Sequence, residues 1–294
     1  MDIEKKLCKY INADIKLKDI FIDGKKIHYA VCGKGPVLLC LHGINIGWGA
    51  WYKNIKFLSK YFTVYAIDMP GAGKSQKLSM GFDPEKEIVF IIEKFINKVI
   101  CEKISILGHS FGGWVSLSLA LRKKIKIERL ILLDSLGFSN KIPLKHYPLS
   151  VPALFPLLKK GPIKKEKVSI NNFIISAYQD KKNVDSIFLD YLWNNFSRTG
   201  ILHPLEFMHN LLDIGRLKSI LDFGILLEDI EIPVNIFWGK KDNFIPFNWA
   251  VEKIGKLRHN NIKLLPNDGH LLFIENKKDF HQFLLDYIIP SKTI

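Results

Sequence analysis

The chain has 294 residues, 48% of them hydrophobic and 24% charged, and its 43 Lys plus Arg against 29 Asp plus Glu give a formal charge of +14. A chain of this length buries about three quarters of its unfolded surface without covalent staples, and its composition excludes a disordered or fibrous protein. The four cysteines (Cys8, Cys32, Cys40, Cys101) form no C-x-x-C pair, which excludes a zinc ribbon or a disulfide scaffold and points to a reducing compartment.

The positive charge is read as solvated surface and not as a partner site. Only Arg122, Arg129, Arg198, Arg216 and Arg258 carry the planar fork that reads phosphates and bases, and the lysines are scattered, with their densest runs at 122–126 and 159–167. No nucleic-acid partner is expected. Residues 1–20 carry a charge every two or three positions, so they lack a signal-peptide core, and no stretch reaches the length of a membrane span. The expectation is a soluble, cytoplasmic protein without integral membrane association.

In chain order, Ile20–Ile22 and Ile27–Val31 flank Asp23-Gly24, a pair suited to a tight hairpin turn. Short apolar runs follow at Pro36–Leu41, Phe62–Ile67, Ile104–Leu107, Leu130–Leu133, Val234–Trp238 and Ile262–Leu265. Such continuous runs suit strands covered on both faces. Between them, apolar residues recur at three or four positions: Trp51, Ile55, Leu58; Ile88 to Val99; Val115 to Leu121; Val251, Ile254, Leu257; and Phe280 to Tyr287. Strand and helix alternating along a chain imply an α/β fold, a mostly parallel central sheet with helices on both faces.

The rhythm fails between about Leu136 and Asp229, where five prolines precede helix-like segments. This stretch is read as an inserted helical cap over 136–229, with 1–135 and 230–294 forming the core. Its His203 and His209 are read as packing residues, with Pro204 breaking any helical register between them. Phe188, Tyr191, Trp193 and Phe196 line a pocket or pack a core.

Gly108-His109-Ser110-Phe111-Gly112 matches G-x-S-x-G directly after one strand and before one helix. In that setting a sharp turn lifts the serine clear of the sheet, and the flanking glycines relieve backbone crowding. A serine nucleophile needs a base and a group to orient it. Candidates stand in loops after two later strands: Asp242 in Gly239–Asp242 and His270 in Pro266–His270, with Asp134, at the end of another strand, as the alternative acid. For the oxyanion of a tetrahedral intermediate, the backbone N–H groups of Phe111 and of Ile44 are the expected donors, with Asn45 as the fallback for Ile44. Gly71-Ala72-Gly73-Lys74-Ser75 imitates the end of a phosphate loop, but Asp68 stands where that motif requires glycine. His42 and His109 have no second ligand at metal spacing and are read as structural.

Five markers stand in order: His42-Gly43, Asp68 to Ser75, Gly108 to Gly113, Gly239 to Asp242, and Asp268-Gly269-His270. With them the chain, from about Phe21 onward, resembles the α/β-hydrolase fold family, in particular its capped serine hydrolases of the esterase type. The resemblance implies a Ser110–His270–Asp242 triad, an acyl-enzyme and a small-molecule acyl substrate, with neither cofactor nor metal. The serine excludes the aspartate chemistry of the related dehalogenases and epoxide hydrolases. The elbow lacks the Gly-Gly-Ser-Trp-Gly of proline iminopeptidases, and Leu271 stands where carbon–carbon bond hydrolases commonly place tryptophan. The resemblance thus implies a carboxylic ester as substrate, or a related acyl bond in thioester, lactone or acyl-transfer chemistry. The alternative is a ligand-sensing protein on the same scaffold with little or no turnover.

Overall fold

The computed structural model describes residues 2–160, 167–200 and 202–289. Eight strands form one sheet: β1 (Lys16–Ile22), β2 (Lys25–Cys32), β3 (Val37–Leu41), β4 (Thr63–Ile67), β5 (Ile104–His109), β6 (Ile127–Leu133), β9 (Val234–Gly239) and β10 (Asn260–Leu265). Two further short strands, β7 (Leu212–Asp213) and β8 (Arg216–Leu217), pair apart from it. The sheet order is β1-β2-β4-β3-β5-β6-β9-β10. β1 and β2 pair antiparallel, as do β2 and β4, and every pairing from β4 to β10 is parallel.

The apolar runs form strands because both faces of the sheet are covered. Val37, Leu39 and Leu41 of β3 enter one buried cluster, and Leu38 and Cys40 enter the other. Leu130 and Leu132 are divided from Ile131 and Leu133 in the same way, as are Ile236 and Trp238 from Phe237. This is the two-residue alternation of a strand sandwiched between helical layers. One layer contains the helical stretch Glu85–Ile100, whose two ends are wound as π-helix, together with Phe111–Arg122 and Val251–Ile254. The other contains Ile3–Ile11, Ile55–Leu58 and Lys277–Tyr287. The Asp23-Gly24 turn has φ of 49° and 75°, the two positive values of a type I′ hairpin.

Two local expectations change. Residues 3–11, read only as charged, form a helix capped by Asp2, with Leu7 and Ile11 buried. Pro204 does not separate His203 from His209: it occupies the first turn of the helix His203–Asn210, where its missing N–H costs no hydrogen bond.

Between β6 and β9 the chain runs through the helices Tyr147–Ser150, Phe155–Lys160, Lys167–Ile175, Ser186–Thr199 and His203–Asn210 and the β7–β8 hairpin. This stretch shares the clusters of the sheet layers: Phe207, Leu211 and Leu221 belong to one, Phe188, Tyr191 and Leu192 to the other. Among the described residues no helix is long and apolar enough to cross a membrane.

Candidate active site

β5 delivers the chain to Ser110, which turns it into the helix Phe111–Arg122 with φ of 54° and ψ of −117°. A non-glycine residue there costs of order 1–3 kcal/mol and persists only when its surroundings over-determine it. They do: the Ser110 N–H donates to Leu133 O on β6 at 2.9 Å, and its carbonyl accepts from Gly113 at 3.0 Å and Leu136 at 3.1 Å. The glycines are required by close approach. A Cβ on Gly108 would lie 2.6 Å from Gly112 O, and one on Gly112 would lie 2.2 Å from Leu41 O.

The loops after β9 and β10 carry the other two candidates and are tied together. Lys240 N–H donates to Leu265 O at 2.8 Å, and Lys241 N–H to Asp268 O at 3.1 Å. His270 Nε2 lies 3.1 Å from Ser110 Oγ, and His270 Nδ1 lies 2.8 Å from Asp242 Oδ2. The other oxygen of Asp242 accepts the N–H groups of Phe244 at 2.7 Å and Ile245 at 3.0 Å. Three donors thus converge on one buried carboxylate. The pairing places the imidazole proton on Nδ1 and leaves Nε2 as the acceptor facing the hydroxyl. Phe244 stacks on the His270 ring at 5.2 Å.

Asp134 is not the partner of His270. Its Oδ1 accepts the Gly239 N–H at 2.9 Å, and its Oδ2 has no hydrogen-bond partner among the described residues. Burial, reinforced by the neighbouring Asp242, pushes its carboxyl well above the ordinary range.

The loop after β3 crosses directly over the elbow, and a Cβ on Gly43 would lie 3.3 Å from that of Ser110. Ile44 borders the cavity in front of the serine, and the N–H groups of Ile44 and Phe111 have no protein acceptor among the described residues. Asn45 takes φ of 56° and is buried, with neither side-chain amide atom partnered among the described residues.

The remaining singled-out residues hold this loop and its neighbours. His42 Nε2 accepts the Met69 N–H at 3.0 Å while Nδ1 donates to Gly43 O at 2.5 Å. Burial lowers its pKa to about 4, so the ring is neutral. His109 donates from Nε2 to His270 O at 2.9 Å, and burial beside His270 lowers its pKa well below the ordinary value. The phosphate-loop lookalike cradles a carboxylate of its own chain: Asp68 accepts the N–H groups of Trp48 and Lys74, each at 2.7 Å. His203 donates to Gly71 O at 3.0 Å, and His209 stacks on Phe155. Phe188 and Phe196 border the cavity, whereas Tyr191 is buried and its hydroxyl accepts the Gly49 N–H at 3.1 Å.

Glu275 was not singled out by its sequence context. Its Oε2 accepts the N–H groups of Gln179 at 2.8 Å and Asp180 at 2.9 Å, and its Oε1 accepts Gly269 N–H at 3.3 Å, joining the His270 loop to the 136–229 stretch. His109, Asp134 and His270 each bring a ligand atom within 4.8 Å of the others. Among the described residues only His109 Nδ1 and Asp134 Oδ2 of this set lack a hydrogen bond, fewer than the four ligands of a structural zinc ion.

The cavity facing Ser110 encloses about 160 Å³ and is walled largely by apolar side chains, among them Phe138, Phe188, Leu192, Phe196 and Met208. Lys141 is its cationic side chain, and burial next to Lys145 lowers the pKa of His146, at the same wall, to about 4.

A strained serine between a parallel strand and a helix, facing an imidazole from the loop of the last strand, defines a class. The alpha/beta hydrolase fold family matches residues 36–277, and the chain belongs to that family. It is 24% identical over 291 residues to a 2-hydroxy-6-oxononadienedioate/2-hydroxy-6-oxononatrienedioate hydrolase of Pseudomonas putida, covering 97% of this chain and 98% of that one. It is 27% identical over 277 residues to the abhydrolase domain-containing protein abhd-5.2 of Caenorhabditis elegans, where the match covers 90% of this chain but spans only 61% of the worm protein. The carboxylesterase CesB of Bacillus subtilis shares the fold, with a TM-score of 0.77 at 17% identity over 97% of this chain and 95% of that one.

Proposed function

We propose that the protein is a serine hydrolase that cleaves a carboxylic ester, with Ser110 as nucleophile, His270 as general base and acid, Asp242 as the group that orients it, and residues 136–229 as a cap over the acyl pocket. The observation that carries this reading is the hydrogen-bonded line from Asp242 through His270 to Ser110. Ser110 Oγ adds to the ester carbonyl while its proton passes to His270 Nε2, and the backbone N–H groups of Ile44 and Phe111 receive the oxyanion. Collapse of the intermediate expels the alcohol, which takes the proton from His270 and leaves an ester on Ser110. Water then adds to that ester, giving up its proton to the same imidazole, and the carboxylic acid leaves as Ser110 regains its proton.

The cavity favours an uncharged, apolar acyl group. The Pseudomonas putida relative acts on a dioate, a substrate with two carboxylates. Here such a substrate would meet Lys141 and a neutral His146, and one cation does not balance two buried anions. Cleavage of a carbon–carbon bond next to a carbonyl is the second reading, favoured by that relative.

The two separate on a substrate panel. Esters of nitrophenol with acetate, hexanoate and dodecanoate are expected to be hydrolysed at least a hundredfold more efficiently, in kcat/KM, than a 2-hydroxy-6-oxodienedioate. The reverse order establishes the carbon–carbon reading, and saturable binding of these compounds without turnover establishes a ligand sensor.

A further inference from the structure

The outer surface of the stretch that walls the cavity is unusual in two respects. Residues 141–160 contain four lysines (Lys141, Lys145, Lys159, Lys160) and no Asp or Glu. The same stretch presents large apolar side chains to solvent: Leu144 is 88% exposed and Leu157 64%, with Tyr147 and Leu154 also exposed. The β7–β8 hairpin adds Ile214, 62% exposed. It is fastened to this stretch by the Gly215 N–H, which donates to Ser150 Oγ at 2.9 Å, and Gly215 packs against the Tyr147 ring. Ile142, Pro143, His146, Leu212 and Leu217, from the same elements, line the cavity. These elements therefore have two apolar faces, an inner one on the pocket and an outer one that meets water.

A second exposed apolar group gives an internal contrast. Ile220, Ile225, Leu226 and Val251 are exposed on the segments flanking β9, but their sequence neighbours include Asp222, Glu228, Asp229, Glu231 and Glu252, and Lys253 and Lys256 pair with Asp222 and Glu228. Exposed apolar residues alone carry little information. Apolar tips combined with an excess of cations, here four lysines and Arg216 against Asp213 alone, constitute the pattern that embeds in an anionic interface, the tips entering the headgroup boundary and the lysines meeting its negative charge.

We propose that the face formed by residues 141–160 and 212–217 docks the protein onto an anionic lipid surface. Charge complementarity selects this occupant: a nucleic acid offers nothing to bury Leu144, Leu157 and Ile214, and a second copy would bring the same lysines together. Docking would bring the outer wall of the cavity to the bilayer, where uncharged acyl esters are concentrated. It does not require turnover and is read without it.

The test is co-sedimentation of the full chain with sucrose-loaded vesicles of phosphatidylcholine, alone or mixed three parts to one with phosphatidylglycerol. Wild-type protein is expected to partition at least tenfold more strongly into the mixed vesicles, and added salt should weaken the binding. The double variant L144E/L157E should lose tenfold or more of that binding, and Lys160→Glu several-fold. I225E/L226E, on the other apolar group, should bind as wild type does. Melting curves and the turnover of nitrophenyl acetate, unchanged in every variant, would show that the fold is retained. The proposal is overturned by equal partitioning into the two vesicle types, by no sedimentation at all, by equal losses in the two double variants, or by a wild-type dimer that L144E/L157E dissolves without affecting lipid binding.

Discussion

Two buried clusters among the described residues join imidazole to carboxylate, and they differ in what faces the second ring nitrogen. Around His270, Nδ1 faces the Asp242 carboxylate and Nε2 faces the Ser110 hydroxyl, which opens on a cavity. Around His28, both nitrogens face carboxylates: Nδ1 lies 2.6 Å from Asp19, and Nε2 lies 3.2 Å from Glu4. Glu4 is also ion-paired with Lys74 and accepts the Trp48 Nε1–H at 2.9 Å. Burial opposes charge on His28, but Glu4, Asp68 and Asp19 outweigh it and raise its pKa above the ordinary value. Two anions favour the protonated form of the His28 ring, whereas the His270 ring has one anion behind it and a hydroxyl in front. The His28 cluster instead fastens the N-terminal helix and the β1–β2 hairpin to the loops carrying Trp48 and Lys74. A carboxylate–imidazole contact is informative only together with what occupies the other nitrogen.

This contrast can be broken by substitution. Ser110→Ala should reduce turnover of a nitrophenyl ester about a millionfold without lowering the melting temperature. Asp242→Asn should cost about ten-thousandfold in kcat, because the amide no longer selects the Nδ1–H tautomer. His28→Leu should leave ester turnover at low temperature within a few-fold of wild type while costing about 3 kcal/mol of stability in denaturant titrations, since it removes one of the two cationic partners of the buried Glu4. His28, with its raised value, contributes stability that is full below its unfolded value of 6.5 and is lost as pH rises through its folded value. The deficit of His28→Leu should accordingly narrow in alkali.

His42 has the opposite sign. Its pKa falls from 6.5 to about 4 on folding, so the unfolded chain gains a proton that the native state refuses. About 3 kcal/mol should be lost as pH drops from 6.5 to 4, visible as a falling melting temperature. The smallest effect is expected at Asp134. Its carboxyl is pushed upward by burial and by Asp242 and makes no contact with His270, so it should tolerate Asn with less than a tenfold change in kcat, and a larger loss would give it a direct part in orienting His270.

Much of the sheet was legible because its strands are buried on both faces, so that Leu38 to Leu41 or Leu130 to Leu133 read as unbroken apolar runs. Ser110, Asp242 and His270 were legible as candidates because each follows such a run, and a parallel sheet gathers the loops after its strands at one edge. The helix at residues 3–11 was obscured because its buried stripe is narrow, Ile3, Leu7 and Ile11 among lysines, and the intervening charges dominate its composition. Glu275 was not legible at all, and of Tyr191 only its packing was, not the bond its hydroxyl accepts. Their partners, the N–H groups of Gln179, Asp180 and Gly49, lie about a hundred residues away or more, and no local pattern marks a side chain that serves a distant backbone. Pro204 was misjudged because proline breaks a helix interior yet suits its first turn, and sequence alone did not locate the helix start.

The central claim is that the Ser110 hydroxyl is activated by His270. It is tested most directly by treating the folded protein with a fluorophosphonate and locating the adduct by mass spectrometry. One adduct per chain on Ser110, lost in Ser110→Ala and slowed by at least a thousandfold in His270→Ala but not in His28→Leu, is the predicted result. No adduct on the folded wild type, or one formed equally fast without His270, would contradict it.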